Sequence, residues 1–182
     1  MAIGPEVTIR AAPGNEIGGG TGVGFTWRIA HDKTGWGWQY GLNWFSTDVG
    51  ATGGSSARDL GELHVRPLLG GYGYTRVVGR YAITGSMLAG YAFSTISIAP
   101  GASDAYRRLG AQSVDVDASN PLVFKPELGV WIDLNKKMGL NLNAGYVVAR
   151  PTLTIRTGLG TESRDVVADI FQLKIGLVYS IF

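Results

Sequence analysis

Apolar side chains recur at every second position from one end of the chain to the other, and the three-to-four spacing of a helix is nearly absent. Residues 3–12 set Ile3, Pro5, Val7, Ile9 and Ala11 against Gly4, Glu6, Thr8, Arg10 and Ala12. Residues 18–30 set Thr21, Val23, Phe25, Trp27 and Ile29 against Gly20, Gly22, Gly24, Thr26 and Arg28. Residues 35–48 set Trp36, Trp38, Tyr40, Leu42 and Trp44 against Gly35, Gly37, Gln39, Gly41 and Asn43. Period two is the signature of a strand with unlike faces.

Five more segments follow the rule, some less cleanly. Around 60–75, Leu63, Val65 and Leu69 oppose Glu62, His64 and Arg66. In 80–97, Ile83, Met87, Ala89, Tyr91 and Phe93 oppose Thr84, Ser86, Gly90 and Ser94. In 122–134, Phe124, Leu128, Val130 and Ile132 oppose Lys125, Glu127, Gly129 and Asp133. The segment 139–154 alternates until Arg150-Pro151, where a bulge is expected. The last, 166–182, sets Phe171, Leu173, Ile175, Leu177, Tyr179 and Ile181 against Gln172, Lys174, Gly176 and Ser180. The expected strand count is about eight. The connections 31–34, 77–79 and 135–138 are tight, with His31 in the first; most of the others, notably 49–58, 98–121 and 155–165, are long and polar. Tight turns on one rim and long loops on the other are the habit of bacterial membrane barrels, the turns being periplasmic. The 113–117 piece of the longest loop is expected to extend a barrel strand above the membrane.

Composition narrows the solvent. No run of about 18 apolar residues is present, so no transmembrane helix is expected, and a bilayer core could then be crossed only by a closed barrel. Glycine is abundant (28 of 182 residues) and charge is sparse (16%) beside the roughly 25% of soluble domains. A soluble eight-stranded carrier of the lipocalin type would put the glycine-rich face toward water, where glycine offers no side chain and costs backbone entropy. An eight-stranded interior instead needs small residues where large polar ones cross it. The all-β reading is therefore a closed antiparallel transmembrane β-barrel, with residues 1–182 as a single domain, Gly/polar face inward. Trp27, Trp36, Trp38, Trp44, Tyr81, Tyr91, Phe93, Phe171 and Tyr179 are then the lipid-facing aromatic girdle, Trp36 and Trp44 standing about 20 Å apart in height.

The chain as a whole resembles, in architecture, the small outer-membrane barrels of the outer-membrane protein A and X type. Its end is similar to their assembly signal, through Lys174, Gly176, Tyr179, Ile181 and the terminal Phe182, with Phe182 one position beyond the usual parity. The resemblance implies insertion by the barrel-assembly machinery and no particular activity. The opening MAIGPEVTIR has no basic-then-apolar signal pattern, and the chain is expected to be a mature form whose signal has been removed.

Candidate chemistry is thin. There is no cysteine, the net charge of +2 is dispersed, and no basic stripe points to nucleic acid. Neither a metal site nor a cofactor loop is expected: Asp115-Val116-Asp117 lacks the rest of a calcium loop, and Gly18-Gly19-Gly20-Thr21-Gly22 has no following Lys or helix. The inward charges Glu6, Arg10, Arg28, Glu62, His64, Arg66, Lys125, Glu127, Asp133 and Lys174 mix signs and are expected to pair across the lumen, because a buried charge is tolerable only when paired. Such a network either plugs the barrel, giving a structural or surface-interaction protein, or lines a narrow pore for ions or small solutes. A lipid A-modifying hydrolase needs a serine beside an outward His, whereas His64 is read as inward and the stretch His64-Val65-Arg66 lacks the serine of the deacylase element. The expected partners are outer-membrane lipids, with loop residues Arg107, Arg108, Arg156 and Arg164 available to lipopolysaccharide phosphates, and the barrel is expected to be a monomer in the bacterial outer membrane.

Overall fold

The computed structural model describes residues 1–12, 19–29, 32–50, 59–108, 114–158 and 160–181. The barrel strands are β1 (Ala2–Ala11), β2 (Gly20–Arg28), β3 (Gly35–Gly50), β4 (Asp59–Val78), β5 (Tyr81–Ile98), β7 (Leu122–Asp133), β8 (Met138–Ala149) and β11 (Ile170–Ser180). Between β5 and β7 lie a short helix, α1 (Pro100–Arg108), and strand β6 (Val114–Ala118); between β8 and β11 lie β9 (Thr152–Thr157) and β10 (Gly160–Asp165). The eight barrel strands close in the order β1-β11-β8-β7-β5-β4-β3-β2, each antiparallel to its neighbours. Closure matters physically, because it leaves no strand edge to satisfy in lipid.

Tight connections all fall at one end. Val78 passes to Tyr81 through Gly79, whose φ of +61° is the left-handed conformation that glycine adopts without penalty. The β7–β8 turn is held by Asn135, whose Oδ1 accepts from the backbone N–H of Lys137 and Met138 at 2.9 Å each. His31 and Phe182 lie outside the described residues.

The alternation resolves as expected for lipid outside. Val7, Phe25, Trp27, Trp36, Trp38, Leu128 and Leu173 are exposed on the outer surface, while Glu6, Thr8, Arg28, Gln39, Lys125 and Lys174 are buried inside. A soluble carrier has the reverse arrangement.

The long connections correct two expectations. The 98–121 stretch carries α1 and β6, and 155–165 belongs to the β9–β10 hairpin rather than to an open loop. Strands β10, β9 and β6 form their own three-stranded sheet. It is nonetheless the upward continuation of the wall: β9–β10 keeps the register of β8–β11, with Val166 N–H donating to Pro151 O (2.9 Å) and Ala168 N–H to Ala149 O (3.1 Å) across the gap. On the other side Ala118 faces Leu153 and Val123 faces Ala149, with four residues between on one strand against three on the other, so the extra residue of the bulge lies in 119–122 and not at Arg150-Pro151. Pro121 and Pro151, which have no N–H to donate, stand where the two sheets part.

Candidate functional site

The lumen has three tiers. At the periplasmic mouth Trp131 turns inward and is buried with Ala2, Ala82 and Val178, its Nε1 donating to Asp133 Oδ1 at 2.7 Å. Gly139 leaves room for the ring: a Cβ there would lie 2.4 Å from its atoms. Sequence reasoning passed over Trp131, although it shares the parity of Lys125, Glu127 and Gly129.

The middle tier is a connected polar network. Lys174 Nζ lies 2.5 Å from Glu6 Oε1 and 3.7 Å from Glu127 Oε2. Lys125 pairs with Glu127, whose other oxygen accepts from Gln39 Nε2 at 2.6 Å. Arg28 donates to Gln39 Oε1 (3.3 Å) and to Thr84 Oγ1 (3.1 Å), and Thr84 bonds Thr75 at 2.9 Å. One run of contacts thus ties together β1, β11, β7, β3, β2, β5 and β4, seven of the eight barrel strands. Lys125 crosses the barrel over Gly145, where a Cβ would fall 2.7 Å from Lys125 Cε.

The upper tier is apolar. Leu63, Leu69, Leu88, Ala92, Val123, Val147 and Ile170 fill it, with Leu153 and Ala118 from the extracellular sheet and Val166 just beyond its end packed above. It encloses a small void of about 20 Å³ that Pro67, Pro121 and Pro151 also line. Arg10 is the one charge of the expected network on this level; its guanidinium sits 4.0 Å over the Phe45 ring and donates to Ser46 O (2.8 Å) and Thr21 O (3.0 Å).

Besides Arg10, four residues assigned to the lumen network do not join it. Glu62 and Arg66 are exposed and His64 is half-buried, all on the outer face of β4, whereas Leu63 and Leu69 point in. The reason is height. β4 has 20 residues, about 50 Å of climb at roughly 2.5 Å each, so it rises well past a 25 Å apolar band. Above the band the outside is polar and the inside is a protein core, so the rule of apolar-outward reverses. Asp133 has inward parity but lies exposed at the periplasmic rim, bonded to Trp131.

The outward turn of His64 puts it directly opposite Ser46, with Asp48 opposite Glu62 one pair further up. Sequence reasoning placed no serine beside His64. Among the described residues no hydrogen bond joins the Ser46 hydroxyl to the His64 ring. Those described residues also contain no group of three His, Cys, Asp or Glu side chains placed to hold a metal.

Every residue of the expected aromatic girdle, Trp27, Trp36, Trp38, Trp44, Tyr81, Tyr91, Phe93, Phe171 and Tyr179, is exposed on the outer surface. Several pack against further outward aromatics, Trp36 stacking on Tyr72 with centroids 5.4 Å apart. Of the expected assembly signal, Lys174 is inward, Gly176 faces Glu6 across the β1–β11 seam, and Tyr179 and Ile181 are exposed.

No protein-family description matches the chain, and no curated protein matches it. Solved structures do. That of the outer membrane protein OprG from Pseudomonas aeruginosa is similar with a TM-score of 0.79 at 17% identity, over 98% of this chain and 93% of that one. The fold is that of the eight-stranded outer-membrane barrels. AlkL, determined by solid-state NMR in DMPC lipid bilayers, is similar at a TM-score of 0.56, 14% identity and 97% and 89% coverage. Ail of Yersinia pestis, in complex with the heparin analogue sucrose octasulfate, is similar at a TM-score of 0.50, 13% identity and 98% and 94% coverage. With an apolar, aromatic exterior on a closed barrel, the outer-membrane barrel reading and the lipid-facing surface agree.

Proposed function

We propose that this protein is an integral barrel of the bacterial outer membrane that is closed to ions and works through its extracellular half, in a structural or surface-interaction role. The observation that carries this reading is the buried network of Glu6, Lys125, Glu127 and Lys174 across the middle of the lumen. An ion in transit would have to displace contacts between desolvated charges, whose removal one at a time leaves the other uncompensated. Trp131 below and the leucine-rich tier above reinforce the closure. Arg107 and Arg108 at the end of α1 and Arg156 and Arg164 on the β9–β10 hairpin are read as contacts for lipopolysaccharide phosphates, and the C-terminal strand as the segment read by the assembly machinery. The test is conductance of the refolded, inserted protein in a planar bilayer: an electrically silent barrel is expected, and discrete reproducible steps would overturn the reading.

One observation favours a second reading, a conduit for small apolar solutes. The upper lumen is lined by apolar side chains and is a poor place for ions, and its void of about 20 Å³ would have to widen to admit a small apolar solute. The charged tier stops such a molecule from descending. At Pro67, which lines the void, the β3–β4 ladder skips from Leu42 with Leu68 to Phe45 with Val65, a local gap in the pairing of the wall beside it. Uptake of an apolar tracer by liposomes carrying an electrically silent barrel, above that of protein-free liposomes, would support this reading.

A further inference from the structure

Three side chains on the outer surface are foreign to a lipid-facing wall. Ser46 on β3 and His64 on β4 stand opposite each other, and Arg66 follows His64 on the same face of β4. Because the β3–β4 register is the same on both sides of Pro67, Trp44 comes alongside Arg66. These residues, with Val7, Thr21 and Val23 from β1 and β2, line a notch of about 410 Å³ in the barrel's exterior. Ser46, His64 and Thr21 form its upper row, and Arg66 lies one pair lower, in the row of Trp44, Val23 and Val7.

Height fixes what meets the notch. On β3 the outward residues Trp36, Trp38, Tyr40, Leu42 and Trp44 are unbroken apolar surface, and Ser46 is the first polar one. Ten residues separate Trp36 from Ser46, about 25 Å of climb, which is the height of the apolar band of such barrels. On β4 the apolar stretch begins at Leu68, immediately below Arg66. The notch therefore sits where the acyl chains of the outer leaflet end and its headgroups begin. Arg66 is exposed there, and among the described residues it has no ion-pair partner. The acidic side chains of the neighbourhood, Asp48 and Glu62, form the pair above, on the solvent side of His64.

We propose that this notch seats a phosphate-bearing lipid of the outer leaflet, with its phosphate on Arg66, His64 and Ser46 and its acyl chains against Trp44, Leu68 and Val23. A guanidinium offers a planar fork that two phosphate oxygens match, and the hydroxyl and imidazole add single donors. Two features select a lipid over a free anion: the apolar floor continuous with the donors, and the acids above, which repel an anion arriving from solution. The proposal rests on the orientation given under Proposed function, with the long loops outward.

The test uses the full chain refolded in detergent and native mass spectrometry with bisphosphorylated lipid A as the probe. One retained lipid per barrel is expected, and Arg66→Gln should weaken retention by about tenfold or more, the usual worth of a charged hydrogen bond. Arg66→Lys, which keeps the charge and loses the fork, should fall between. Arg76→Gln, which removes a charge from the same face of β4 at the opposite rim, should retain lipid like the parent. The heat-dependent gel shift of each variant separates loss of binding from loss of fold. Equal retention by the parent and Arg66→Gln overturns the proposal. So does full displacement of the lipid by millimolar inorganic phosphate, which would make the notch a free-anion site, and so does release of fatty acid dependent on Ser46, which would make it a hydrolase. A barrel that conducts yet holds lipid through Arg66 would sink the closed-lumen reading and leave this one standing.

Discussion

Lys174 and Glu6, 168 positions apart in the chain, meet at 2.5 Å inside the barrel, on the two strands whose pairing closes it. The contact is buried on both sides, so removing one partner strands a charge, at a cost of about 3–5 kcal/mol, while removing both costs less than the sum. Lys174→Met should lower the urea midpoint of the refolded barrel strongly, because it also takes a cation from Glu127, and Glu6→Gln added to it should restore part of the loss. Strictly additive midpoints would show that the pair is not coupled.

Glu127 is the hub of the closed tier: it pairs with Lys125, accepts from Gln39 and lies 3.7 Å from Lys174. Glu127→Ala leaves Lys125, Lys174 and Arg28 facing one another without their shared anion, a set that repels and draws in water and counter-ions. Trp131 closes the periplasmic mouth independently. The expected result is small anion-favouring openings for Glu127→Ala and larger ones when Trp131→Ala is added, read as single-channel steps in a planar bilayer. If the double variant inserts and stays silent, the lumen is sealed by something other than these two tiers.

Gly139 and Trp131 form the tightest fit of that lower tier. A methyl group at 139 would lie 2.4 Å from the indole atoms, so Gly139→Ala must push the ring off its bond to Asp133, at about 1–3 kcal/mol. Trp131→Leu introduced beside it frees the space and should relieve much of the penalty. Thermal unfolding of the two single variants and the double variant measures this, and a double variant as damaged as the sum of the singles would rule out the steric account.

The barrel was legible in the sequence wherever a strand stayed within the membrane band. β1, β2 and the lower part of β3 have lipid on one side and a polar lumen on the other, so one alternation states both environments. β4 was misread because it outruns the band: at Leu63 and His64 the same alternation persists while the solvents on its two faces have exchanged, and period alone has no sign. Trp131 was missed for a related reason, since a large aromatic on the inward parity breaks the expectation of small or polar residues there. The pairing of Ser46 with His64 needed the β3–β4 register, which depends on contacts across the ladder that spacing within either strand does not encode. The β6, β9 and β10 sheet was partly visible as alternation at 113–117, but its partner strands lie about 40 residues away in sequence.

That extracellular sheet should be dispensable for closing the barrel. Pro151 and Val166 are already joined by a backbone hydrogen bond of 2.9 Å, in the register in which a two-residue turn would connect them. Replacing residues 152–165 with Asn-Gly should therefore leave the eight strands paired and the heat-dependent gel shift intact. The cost comes from Leu153, buried over the upper lumen, and should be about 2–5 kcal/mol, as for a core leucine. The Arg150–Asp169 ion pair at the cut, half-exposed on the arginine side, adds at most about 1 kcal/mol either way. Strand β6 pairs with β9, so residues 114–118 should become open to protease while β7 stays protected. Loss of the gel shift in the shortened protein would mean instead that the sheet outside the membrane is needed to bring β7, β8 and β11 together.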